Sequence, residues 1–265
     1  ANAEDMPLWI APDKKLDVAM MEACMRDHYE GTPLALDNDV AQGNWDCPYR
    51  PTPLQYEVDG KKYFNERPTS TQQTGFSYVA QLRSWLPREI GGILWFGNDD
   101  GNMVAYVPIY CSNTERAECF NTPGADAVTF SDKNAFWVCN WVSNMVYPRY
   151  SQLFPALKEV RDSLDNAFLA AQKGVEAKAE ALYATDKAAA VKYLNDYSIQ
   201  KSNEMITRWR QLAIHLIVKF NDMAVKPEKD GKFLRTSTGL GERVKRTGYS
   251  DYFKRELVKQ TGDKF

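Results

Sequence analysis

The sequence predicts an α+β fold built on antiparallel sheet, and three observations carry that prediction. Short alternating or wholly apolar runs cluster in the first half, each bounded by Gly, Asn, Asp or Pro. Long Ala-, Lys-, Glu- and Leu-rich stretches with helical apolar spacing fill the second half. Strands do not alternate with helices, which argues for antiparallel sheets with helical layers rather than parallel βαβ units. The chain divides accordingly into a strand-rich part over 1–130, a helical part of the same domain over 131–225 and a polar C-terminal extension over 226–265.

Taken in order, residues 1–12 carry Pro7 and Pro12 and read as an irregular lead-in. Asp13 is a suitable N-cap for a helix to about Asp27, with Leu16, Met20, Ala23 and Cys24 on one stripe and Gly31 as the stop. Residues 33–53, with Pro33, Gly43, Pro48, Pro51 and Pro53, form a connection long enough to suggest a functional role. Leu54–Val58 and Lys61–Asn65 flank Asp59-Gly60, a strong hairpin signal. Three more strands follow over Phe76–Arg83, Gly92–Phe96 and Met103–Ile109. Phe76, Tyr78, Ala80 and Leu82 alternate against Ser77, Val79, Gln81 and Arg83, while Gly-Gly-Ile-Leu-Trp-Phe-Gly is apolar on both faces, as in a covered central strand. Asn98-Asp99-Asp100-Gly101-Asn102 reads as a solvated turn joining the last two strands into an antiparallel hairpin.

After Phe130 the period changes. Ser131 is positioned to cap a buried helix containing Ala135–Val142, which Pro148 interrupts. Two long helices follow, Arg149 to about Leu182 and Asp186 to about Met223, antiparallel across a tight break at Ala184-Thr185-Asp186. Their core stripes are Leu153, Leu157, Val160 and Leu164, and Trp209, Leu212, Ala213, Leu216 and Phe220. The tail adds a short amphipathic piece near Tyr252–Val258.

Composition excludes several functions. The 265 residues are 44% hydrophobic and 26% charged, with a formal net charge of −2, so nothing favours nucleic acid or an anionic membrane surface. No apolar run approaches the roughly 20 residues of a membrane span. The five cysteines form no CxxC pair and have no histidine at metal-ligand spacing, which argues against structural zinc and implies no cofactor. Cys111 and Cys119 flank a polar loop and are either a small disulfide or two free thiols. A periplasmic or secreted location is favoured, with a cytoplasmic one left open.

Cys24 and His28 lie four apart, a spacing open to a nucleophile–base pair but more suited to a structural thiol and a helix-end imidazole. His215, inside Gln-Leu-Ala-Ile-His-Leu-Ile-Val, reads as structural. Asp99 and Asp100, adjacent in a turn, point apart and do not suggest an acid–base pair. Arg67 with the run Thr69-Ser70-Thr71-Gln72-Gln73-Thr74 is the stronger site signal, because hydroxyls, amides and a guanidinium fork lead into a core strand. Residue chemistry alone therefore ends at an α+β domain with a polar pocket.

Several longer segments add to this: Met25–Thr32, Pro48–Leu54, Asn65–Pro87, Gly91–Asp100, Tyr106–Cys111 and Ala135–Ser151. Over residues 13 to 225 they resemble the cysteine dipeptidases of the N-terminal nucleophile (Ntn) hydrolases. The resemblance implies an αββα sandwich of two stacked sheets and hydrolysis of dipeptides by an N-terminal cysteine whose own α-amine is the base. Residue 1 is Ala and no cysteine precedes Cys24, so the chain is expected to be a C-terminal portion, with an incomplete sandwich and no activity without its missing N-terminal segment. The resemblance leaves Asn98 as a candidate oxyanion donor, and Arg67, Gln72, Gln73, His28, Tyr29 and Glu30 as candidates for holding the dipeptide substrate. Exposed sheet edges would favour homo-oligomers. The alternatives are a non-catalytic module that binds a peptide or partner chain, and an N-acyl amide hydrolase of the same superfamily.

Overall fold

The computed structural model describes residues 5–239 and 244–262. Helix α1 spans Val18–Met25 and is capped by Asp17, whose Oδ1 accepts from the Met20 amide at 2.8 Å. It starts later than the cap at Asp13 implied, and it buries a different strip. Val18 and Glu22 face inward, whereas Leu16, Ala23 and Cys24 are exposed. The reason lies across the interface. Arg26 donates to Asp165 at 2.7 Å and approaches Glu22 at 4.0 Å, so this short helix turns a charged strip toward the core.

A 3-10 turn over Val40–Trp45 follows, then β1 (Gln55–Val58) and β2 (Lys61–Phe64). They pair antiparallel through Asp59 and Gly60, both at positive φ, the backbone that a two-residue hairpin demands. Strand β3 (Phe76–Leu82), the single turn α2 (Arg88–Gly91), β4 (Gly92–Asn98) and β5 (Val107–Tyr110) complete the main sheet, antiparallel in the order β3-β4-β5. β5 begins after Met103 because Gly101–Met103 is a 3-10 turn.

Helix α3 spans Ala135–Val146, and Asn134 rather than Ser131 caps it through the Trp137 amide at 3.2 Å. Pro148 sits in a 3-10 turn that leads into α4 (Tyr150–Tyr183). α5 (Lys187–Phe220) returns antiparallel after Asp186, whose Oδ1 accepts from the Ala188 and Ala189 amides. The predicted stripes are core: Leu153, Leu157, Leu164, Trp209, Leu212, Ala213, Leu216 and Phe220 are all buried. His215 lies beside that stripe, paired with Glu228 at 3.5 Å and stacked on Phe233. The tail forms β6 (Ala224–Val225) with β9 (Lys245–Arg246), the ribbon β7 (Glu228–Lys229) with β8 (Lys232–Phe233), and α6 (Asp251–Thr261). Asn44 bonds to Gly248 and Ser250 and so fastens this tail to the 40–45 turn.

The two faces of the main sheet are unlike. Val79, Ile93, Trp95 and Tyr110 are buried on one face, which meets the long helices. The Tyr110 amide donates to Ser198 Oγ of α5 at 3.3 Å, and Gln172 of α4 donates to Gln81 at 2.9 Å. Register places Phe76, Tyr78 and Leu82 on the opposite face with Leu94, Phe96 and Ile109. Phe76, Tyr78 and Leu82 are exposed. Thus the apolar side of β3 looks outward and its mixed side looks inward. The fold is α+β with antiparallel sheets and a long antiparallel helix pair, and the sheets among the described residues are this three-stranded one and three two-stranded ribbons. All five cysteines are free thiols, with Cys111 exposed and Cys119 buried, so the small disulfide does not form.

Candidate functional site

The β4–β5 connection is the centre of a buried polar cluster rather than a solvated turn. Asp99 and Asp100 are wholly buried. Asp99 adopts φ +75°, a conformation Asp tolerates better than most residues, and its amide donates to the Gly75 carbonyl at 2.8 Å. Its carboxylate accepts from Ser143 Oγ at 2.6 Å and Asn140 Nδ2 at 3.0 Å, both on α3. Burial pushes the Asp99 carboxyl up to about 7 despite these donors.

Asp100 faces the other way. Ser70 Oγ and the Asn102 amide bond to its Oδ1, and Tyr147 Oη donates to its Oδ2 at 3.1 Å. Burial raises this carboxyl as well, against the lowering effect of Ser70 and Tyr49. Asn102 donates to Tyr150 Oη at 3.0 Å, and Arg161 Nη1 clasps the Asn102 carbonyl and side-chain oxygen at 2.7 and 2.8 Å. Four elements therefore converge on the start of one connection.

The predicted site segments meet beside it. Tyr29, at φ +64°, donates through Oη to the Arg67 carbonyl at 2.8 Å, and the Ser70 amide donates to the Asp27 carbonyl at 3.2 Å. The 27–30 loop and the 67–74 run are thus stitched together. His28 is wholly buried, its ring edge-on to Tyr49 at 4.7 Å, and its amide and Nδ1 reach the Glu30 carboxylate at 2.8 and 3.1 Å. Burial pushes Glu30 up, but the His28 hydrogen bonds outweigh it and hold the carboxyl at about 2. Arg67, Gln73 and Glu30 are exposed, Tyr29 is half-buried, and Gln72 donates to the Arg50 carbonyl. Asn98 ends β4 on the outward sheet face opposite Phe76, with its Oδ1 buried and unpartnered. Cys24 and His28 do not form a dyad, since the thiol is exposed and the imidazole is enclosed with Glu30.

The sequence reading missed Tyr49, Arg50, Asn102, Tyr147, Tyr150 and Arg161. One available signal was the pair Asn140 and Ser143, polar at helical spacing on a largely apolar helix. Among the described residues no group of His, Cys, Asp and Glu is placed to hold a metal, and no helix is long and apolar enough to cross a membrane.

The model of peptidase family C69 matches residues 1–163, more than half of the sequence. No curated protein matches. The matched region contains α1, the main sheet, α3 and every segment around the buried turn, and the chain belongs to peptidase family C69, a family of cysteine dipeptidases.

Proposed function

We propose that this chain is the substrate-holding portion of a cysteine dipeptidase of the Ntn type, with the nucleophile supplied by an N-terminal cysteine outside these 265 residues. The observation that carries this reading is the outward sheet face. Phe76, Tyr78 and Leu82 lie exposed along it, with Phe76 directly opposite Asn98, where a stacked second sheet would bring a nucleophile to the polar end of β4.

The thiols present suit no such role. Burial pushes Cys47, Cys119 and Cys139 up, the wrong direction for a thiolate nucleophile. Cys24 and Cys111 are exposed, and both histidines pair with glutamates instead. In the mechanism proposed, the α-amine of the terminal cysteine takes the thiol proton and sulfur attacks the scissile carbonyl. The Asn98 amide donates to the oxyanion, the amine leaves with the proton, and water then cleaves the thioester. In this reading Tyr29, Glu30, Arg67, Gln72 and Gln73 face the substrate, and the His28 amide and Nδ1 fix the Glu30 carboxylate.

The test compares this chain with the longer polypeptide on dipeptides and on N-acyl amides. Dipeptide hydrolysis by the longer form, blocked by iodoacetamide and absent from the 265-residue chain, is the expected result. Turnover by the short chain that survives Cys24→Ala would overturn the reading. Preference for N-acyl amides would make the protein an acylase of the same type.

A further inference from the structure

We propose that Arg50, rather than Arg67, is the fork that grips the free α-carboxylate of a dipeptide, with Asp39 holding its place when no substrate is bound. The inference rests on the dipeptidase reading for the identity of the ligand, and on the following geometry for the site.

Arg50 belongs to the Pro48–Leu54 segment, which the mechanism above does not use. Its side chain is only 2% exposed. A guanidinium carries five N–H donors, yet Nε and Nη1 are buried without an acceptor. Nη2 donates to Asp39 Oδ1 at 3.1 Å. A buried cationic fork with spare donors is built for a planar anion, since bidentate pairing satisfies two donors at once.

Asp39 is a poor permanent partner. Its side chain is 55% exposed, and the oxygen that meets Arg50 also accepts from the Ala41 amide at 2.8 Å as the cap of the 40–45 turn. A substrate carboxylate arriving from the Asp39 side would replace one shared, solvated contact by a two-point one on Nη1 and Nη2. The location suits the substrate. Gln72 of the polar run donates to the Arg50 carbonyl, and the preceding residue, Tyr49, packs on His28 and Tyr147 beside Asp100. Arg67, by contrast, is exposed, where a lone guanidinium gains little from pairing.

The test is calorimetric titration of this chain with alanyl-alanine and with its C-terminal amide. Wild type is expected to bind the free dipeptide at least about tenfold more tightly than the amide. Arg50→Lys, which keeps the charge and removes the fork, collapses that ratio toward one. Asp39→Asn keeps the helix cap and removes the competing charge, so it tightens the dipeptide severalfold and leaves the amide unchanged. A merely structural ion pair would make both substitutions neutral or weakening. The proposal is overturned if wild type shows no carboxylate preference, if the preference survives Arg50→Lys, if it is lost in Arg67→Ala instead, or if Asp39→Asn weakens binding. Turnover of dipeptides without carboxylate preference sinks the fork and leaves the dipeptidase. Carboxylate preference without turnover in the longer polypeptide does the reverse.

Discussion

Ser143 Oγ donates to Asp99 Oδ2 at 2.6 Å, tying the middle of α3 to the turn that follows Asn98. Because Asp99 is wholly buried, this bond and the one from Asn140 are what make a charged form tolerable there. Ser143→Ala should therefore destabilise the chain by about 1–3 kcal/mol at pH 8. With the Asp99 carboxyl near 7, the acid is neutral at pH 5 and needs the donor less. Urea unfolding at the two pH values checks this, and equal losses at both would contradict it.

Glu22 gives a second pH dependence. It is buried on α1, and burial, with Asp165 adding to it, pushes its carboxyl up to about 8 against the pull of Arg26 and Arg161. The folded chain then binds more protons than the unfolded one between about 4.5 and 8, so stability is greatest below this window and falls as pH rises through it. Glu22→Gln removes the titration while keeping shape. It should raise the melting temperature at pH 8.5, leave that at pH 4.5 nearly unchanged, and flatten the slope between them. Thermal scans across this range provide the measurement.

Both effects show where sequence reading stops. Strand positions 76–82, the Asp59-Gly60 hairpin and the stripes of α4 and α5 were legible because local period and turn chemistry determine them. Burial of a charged turn is decided by partners far along the chain. Asn-Asp-Asp-Gly-Asn has the composition of a surface turn, and distant partners such as Ser70, Asn140, Ser143, Tyr147 and Arg161 make it internal. Likewise, alternation separated the faces of β3 but could not say which face the helices cover. The 27–30 loop and the 67–74 run were each marked by unusual polarity, and their contact through Tyr29 and Arg67 needed the fold.

The outward apolar face predicts association. Phe76, Tyr78 and Leu82 are exposed on β3, which pairs with β4 alone among the described strands. Exposed apolar surface next to an unpaired strand edge is the usual route to sheet-to-sheet pairing. The 265-residue chain should therefore self-associate with rising concentration in light scattering. Phe76→Ser with Leu82→Ser should reduce that association while the melting temperature changes little. A wild-type chain that stays monomeric at high concentration would count against this use of the face.

Asn98 offers the most direct test of the proposed chemistry. It sits at the end of β4 on the same outward face, and its side-chain oxygen is buried without a partner, so the amide does not serve the fold through that atom. A donor that meets the oxyanion only in the transition state lowers kcat when removed and leaves substrate binding alone. In the longer polypeptide, Asn98→Ala should reduce kcat by roughly 10²–10³-fold with KM nearly constant. Asn98→Asp should be at least as damaging, because a carboxylate repels the developing negative charge instead of donating to it. A structural defect would act differently, raising KM and lowering the melting temperature together. Parallel steady-state kinetics and thermal scans on the two variants separate these outcomes, and an unchanged kcat in Asn98→Ala would remove the residue from the reaction.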